Sequence, residues 1–121
     1  MRAVLDESQP IFQQIADMIR DDIIDREFKE NEKVPSENEL SQFYNINRAT
    51  VRKGLQQLLD ENLIYKRRGI GMFVKEGARE SLVKERQKQY VQDYIKPLLD
   101  EGNRLGLNVD SIIQLMKEET N

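Results

Sequence analysis

Apolar residues recur at helical spacing from the start of the chain. Phe12, Ile15, Ala16, Ile19 and Ile23 share one face, and Pro10 suits a first helical position, so a helix is expected from about Pro10 to Arg26. A second, shorter pattern begins at Ser36. Ser36 followed by Glu39 has the form of a capping box, and Leu40, Phe43 and Tyr44 then give about two turns of apolar face. Asn45 tolerates a left-handed backbone and can end that helix. Asn47 is a good N-cap for the next one, with Ile46 and Val51 at the hydrophobic-staple positions. Val51, Leu55, Leu58 and Leu59 predict the inward face of this third helix. Gly54 costs about 1 kcal/mol relative to Ala in mid-helix; close packing of the first helix against it would explain its presence.

After Asn62 the period changes. Leu63, Ile64 and Tyr65 on one side of Lys66-Arg67-Arg68-Gly69-Ile70-Gly71, and Met72, Phe73 and Val74 on the other, predict a β-hairpin with a basic tip. Lys33-Val34 precede the second helix, and Phe28 is placed under that loop. From about Ala78 the pattern is helical again. Tyr90, Val91, Tyr94, Ile95, Leu98 and Leu99 form a wide band that Pro97 should kink near Asp93–Lys96. Gly106 can close this helix, and Asn108 can cap a last one carrying Val109, Ile112, Ile113 and Met116. The band does not sustain three clean heptads, which argues against a coiled coil. Left to itself, so apolar a patch would stay exposed. Tyr90, Val91, Tyr94, Ile95, Leu98, Leu99, Ile112, Ile113 and Met116 are therefore expected to pair two copies as a homodimer.

Charge changes this picture. The 121 residues carry a net charge of −3, which at first speaks against nucleic acid. Its distribution is uneven, however. Residues 44–75 hold seven cations (Arg48, Arg52, Lys53, Lys66, Arg67, Arg68 and Lys75) against Asp60 and Glu61. A basic patch on an acidic body still binds phosphate. Arg48, Ala49, Arg52 and Lys53 lie on the face of the third helix opposite its apolar positions. Arg48 stands in the first turn, where the helix dipole disfavours a cation, and no local compensation is apparent. A phosphate or a guanine edge would supply it. The bland alternative, a solvated basic face, fits less well beside a basic hairpin.

Enzyme chemistry finds little foothold. The chain has no Cys and no His, which removes thiolate chemistry, the usual general base and the commonest metal ligand. Asp21, Asp22 and Asp25 cluster on the first helix but are expected to be a solvated face. Gly69 and Gly71 lack the third glycine of a dinucleotide fingerprint, because Val74 stands there. No cofactor or metal is expected. No apolar run of about twenty residues occurs, so a cytoplasmic location is expected.

Several of these motifs together resemble a known family. Pro35-Ser36-Glu37-x-Glu39-Leu40, Asn47-Arg48-x-Thr50-Val51-Arg52, Leu55-x-x-Leu58 and Arg68-Gly69-x-Gly71-x-Phe73-Val74 are similar to the winged helix-turn-helix of the GntR family of bacterial transcription regulators. The likeness implies a mainly α fold with a small β-hairpin: a DNA-binding domain over residues 9–76 and a two-helix dimerisation tail over 77–121. The short tail resembles the YtrA-like subfamily. The family implies a repressor that binds an inverted-repeat operator in double-stranded DNA, with half-sites beginning GT and ending AC, often near transporter genes. Contacts would come from Ser36, Glu37, Asn38, Asn47, Arg48, Ala49, Thr50, Arg52, Lys53, Arg67, Arg68 and Gly69. Many members carry an arginine where this chain has Asn38. It also implies that Lys33-Val34 pairs with the wing. With no dedicated ligand domain expected, an effector would use the dimer interface or the cleft beside the first helix. The rival reading is a winged helix that meets an acidic protein partner.

Overall fold

The computed structural model describes residues 1–120. The chain divides into two compact units, Met1–Val83 and the residues from Lys84 onward. In the first, α1 (Ile11–Ile24), α2 (Glu37–Tyr44) and α3 (Arg48–Asp60) precede a hairpin of β1 (Ile64–Arg67) and β2 (Gly71–Val74). Helix α4 (Ala78–Tyr90) begins in this unit, because Ala78 and Leu82 are buried in the same core as Ile15, Ile19, Leu40, Leu55 and Val74.

The local signals act as their chemistry dictates. Ser36 Oγ accepts the Glu39 N–H at 3.0 Å while Glu39 Oε1 accepts the Ser36 N–H at 3.2 Å, which completes the capping box. Asn45 takes the left-handed conformation, with φ 52° and ψ 52°. Asn47 Oδ1 then accepts the Ala49 N–H at 2.7 Å. Three residues therefore separate α2 from α3, the spacing of a helix-turn-helix. Gly54 is where α1 crosses: a Cβ there would stand 2.7 Å from the Phe12 carbonyl oxygen and 3.2 Å from Ile15 Cβ. The mid-helix glycine thus reflects close packing.

The hairpin is antiparallel, pairing Ile64 with Val74 and Arg67 with Gly71. Lys33 forms a bridge to Phe73. The Val34 N–H donates to the Met72 carbonyl at 2.9 Å, and the Val74 N–H donates to the Glu32 carbonyl at 2.9 Å. Phe28 packs against the core.

Three expectations need correction. Helix α1 runs from Ile11 to Ile24, with Pro10 as its cap, rather than from Pro10 to Arg26. It closes early because Arg26 adopts φ 62° and the Glu27 N–H returns to the Asp22 carbonyl at 2.8 Å. Phe43 does not join the apolar face of α2; it is 61% exposed. Leu40 and Tyr44, one turn apart, point inward, and Phe43 falls about 100° away from Tyr44 around the axis. Asp22 is buried rather than solvated. It follows Ile15, Met18 and Ile19 by seven, four and three positions, which places it on the inward stripe. The N-terminal ammonium lies 3.2 Å from Asp22 Oδ2, an ion pair without hydrogen-bond geometry.

The second unit holds the rest of α4, a π-helical turn over Val91–Ile95, α5 (Lys96–Arg104) and α6 (Val109–Glu119). The distortion expected from Pro97 takes the form of this π turn, since proline offers no N–H and crowds the carbonyl four residues back. Gly106 has φ 74° and closes α5, with the Leu107 N–H donating to the Gly102 carbonyl at 2.8 Å. Asn108 Oδ1 accepts the Ser111 N–H at 2.8 Å and starts α6.

Candidate nucleic-acid interface

Two elements of the first unit carry the exposed cations. On α3, Asn47, Arg48, Ala49, Arg52 and Lys53 are exposed and Thr50 is half-buried. At the hairpin, Lys66, Arg67, Arg68 and Gly69 are exposed. Gly69 sits in the three-residue tip with φ 77°, a conformation that needs glycine there.

The cations are held rather than scattered. Arg52 binds the Glu37 carboxylate through both of its near nitrogens: Nε donates to Oε2 at 3.0 Å and Nη2 to Oε1 at 2.8 Å. Arg48 Nε forms an ion pair with the same Oε1 at 3.2 Å. Glu37 is the first residue of α2, so its charge also suits the helix N-terminus. The Arg52 hydrogen bonds, reinforced by the charges of Arg52 and Arg48, hold the Glu37 carboxyl below its ordinary value of 4.5, and Arg52 is correspondingly raised. The expectation that Arg48 lacks local compensation is therefore overturned: Glu37 supplies it from the neighbouring helix. Both arginine side chains nevertheless remain more than half exposed, at 61% and 63%.

Aromatic faces support two further cations. Lys53 Nζ lies 3.9 Å from the Phe12 ring centroid. The Arg67 guanidinium lies 5.3 Å over Phe73, which stacks on Tyr65. Sequence reasoning missed Phe12 and Phe73 as supports. Gly54 was the available signal for Phe12, because the crossing it permits brings Phe12 beside Lys53. An open groove lies between α1 and α3, lined by Phe12, Ala49, Arg52, Lys53, Gln56 and Asp60. Of the remaining expected residues, Asn38 is exposed in the first turn of α2, and Ser36 is half-buried as its cap.

In the second unit, Tyr90, Val91, Tyr94, Leu98, Leu99, Ile113 and Met116 are exposed apolar residues, and Ile95 is half-buried. The Tyr90 and Tyr94 rings meet at a tilt of 42°, with centroids 5.3 Å apart. Ile112 is different: it is buried within its own chain against Gly102. Among the described residues, no group of three or more acidic side chains is arranged to hold a metal ion. No helix among them is long and apolar enough to cross a membrane.

Residues 11–74, from α1 through β2, match the profile of the bacterial regulatory proteins of the gntR family. The chain belongs to that family. It is 28% identical to the HTH-type transcriptional repressor YtrA of Bacillus subtilis over 111 residues, covering 92% of this chain and 85% of that protein. It is 40% identical to the HTH-type regulator YurK of the same organism over 68 residues, but it spans only 28% of YurK's length. Among solved structures, a putative GntR-family regulator from Bacteroides thetaiotaomicron superposes with a TM-score of 0.73 at 30% identity, over 91% of this chain and 96% of that one. The DNA-binding domain of AraR, solved with operator ORE1, gives a TM-score of 0.53 at 30% identity, over 61% of this chain and 93% of that one. This gntR-family chain is thus a mainly α winged helix-turn-helix followed by further helices.

Proposed function

We propose that this gntR-family chain is a sequence-specific DNA-binding repressor that acts as a homodimer on an inverted repeat. The observation that carries the reading is the exposed tip of α3, where Asn47 ends the turn and Arg48 and Arg52 project from adjacent turns of one face. A helix so capped presents cations at its leading end, the end that a recognition helix places against base edges in the major groove. Arg67 and Arg68 on the wing reach the flanking phosphates or minor groove. The chain acts in the bacterial cytoplasm, where such a reader meets its operator.

The second unit supports dimerisation. The exposed side chains of Tyr90, Tyr94, Leu98, Leu99, Ile113 and Met116 cover each other when two copies meet. A two-fold pair then offers two recognition helices to half-sites a fixed distance apart.

The test is selection of duplexes from a random-sequence library by the full chain, followed by titration of the enriched fragment. An inverted repeat should emerge, and Arg48→Ala should weaken binding to it by about 1–3 kcal/mol while leaving the helical content intact. Equal binding by the variant would remove α3 from the interface, and the rival reading of an acidic protein partner would then be preferred. Sedimentation at micromolar concentration should give a dimer; a monomer there would refute the tail's assignment.

A further inference from the structure

Glu37 is an odd residue to find between two arginines that are meant to meet a polyanion. Its carboxylate stands where DNA would approach, and it repels phosphate. Resting on the DNA-binding reading above, we propose that Glu37 is a specificity-determining positioning residue that clasps Arg52 and Arg48, keeping them from non-cognate phosphates while aiming them at base edges.

The geometry carries this. Arg52 spends one edge of its guanidinium, the Nε and Nη2 side, on the two oxygens of Glu37. Its opposite end, with Nη1, takes no part in that hold, on a side chain that is 63% exposed. That end is the planar fork that matches two acceptors on one guanine. A bidentate hold fixes both the position and the plane of the fork. Arginine rotamer freedom is therefore spent before DNA arrives, which favours a site that fits the fixed plane. Arg48 is tied to the same Oε1 and shares the constraint.

Charge acts in the same direction. Two arginines one helical turn apart repel each other, and one carboxylate between them offsets roughly one of the two charges. Non-specific binding is driven almost wholly by cations that neutralise phosphates and release counterions. A clasped pair contributes less to that term than two independent arginines would. Matched bases, which reward orientation, lose much less from the clasp. Its effect is thus to raise the ratio of cognate to non-cognate affinity by lowering the latter.

Two simpler roles compete. Glu37 could only stabilise the N-terminus of α2, or it could itself accept a hydrogen bond from a cytosine amino group. The experiment separates all three. The full-length parent, Glu37→Gln and Glu37→Asp are titrated, over a series of salt concentrations, against the fragment enriched by the parent and a scrambled duplex of equal length. Asp keeps a negative charge at the helix start but is one methylene too short to hold both arginines. With the clasp, both variants bind scrambled DNA several-fold more tightly than the parent, and the cognate ratio falls about tenfold. The salt slope of Glu37→Gln on scrambled DNA steepens by about 0.9. The idea fails if scrambled binding is unchanged and only cognate binding weakens, because Glu37 would then be reading a base. It fails equally if Glu37→Asp matches the parent, which leaves only helix stabilisation. A parent that enriches no sequence would overturn the DNA-binding reading itself, and this inference with it.

Discussion

At Gly54 a single absent methyl group sets how closely α3 can lie against α1. Alanine is the better helix former by about 1 kcal/mol, but its Cβ would meet a backbone oxygen, that of Phe12, at 2.7 Å. Backbone cannot rotate aside as a side chain can, and overpacking of this kind costs about 1–3 kcal/mol. Gly54→Ala should therefore lower stability by a net 1 kcal/mol or so, read from a urea midpoint. The same substitution would push Phe12 away from Lys53. Glu37 and Glu39 supply a second residue-scale expectation. Arg52 holds the Glu37 carboxyl below 4.5, and the Ser36 hydrogen bonds do the same for Glu39. A carboxyl whose folded value is depressed stabilises the fold above its unfolded value, and that contribution is lost as pH falls through the folded value. Carbon-detected NMR titration should place both midpoints below 4.5, and Arg52→Ala should return Glu37 toward it. Through the neutral range the carboxylate stays ionised.

The elements begin and end on side-chain chemistry that is short in range, which is why the sequence shows them so well. Ser36, Asn47 and Asn108 each accept a backbone N–H two or three residues ahead. Ser36→Ala removes the capping box and should cost about 1 kcal/mol, visible as a lower melting temperature. Helix ends were equally local: Arg26, Asn62 and Gly106 all take a positive φ just past α1, α3 and α5. Only the asparagine and the glycine advertise this, so α1 was read two residues too long. What the sequence hid was tertiary. Glu37 lies 15 positions from Arg52, and no periodicity relates them. Phe43 looked inward because the face of an eight-residue helix is too narrow to locate from apolar spacing alone. Pro97 signalled a distortion but not its form, since a π turn satisfies the backbone by a bonding choice that side chains do not encode.

For the whole molecule, the decisive detail is where the first unit stops. Ala78 and Leu82 lie in its core, and Arg79 Nε donates to the Ile24 carbonyl at 2.8 Å. A fragment ending at Val83 should therefore fold as a monomer and bind operator weakly. One ending at Glu76 should be less stable by about 2–4 kcal/mol, as expected when a buried leucine is lost; denaturant unfolding of the two fragments compares them directly. The family likeness placed the division at residue 77, just before the pattern turns helical again. Contacts such as Arg79 to Ile24, 55 positions apart, which no local pattern reports, extend the compact unit into α4.

The Lys33 bridge before α2 has an effect unrelated to recognition. Met72-Phe73-Val74 is an apolar run of the kind that recruits further strands. It is flanked by β1 on one side and by the Glu32–Val34 backbone on the other, so it offers no open edge. The outer edge left to the hairpin is β1, where Lys66 and Arg67 stand. Cations on an edge strand repel an incoming copy. The charges that suit the wing to nucleic acid therefore also protect the protein from aggregating when no nucleic acid is bound.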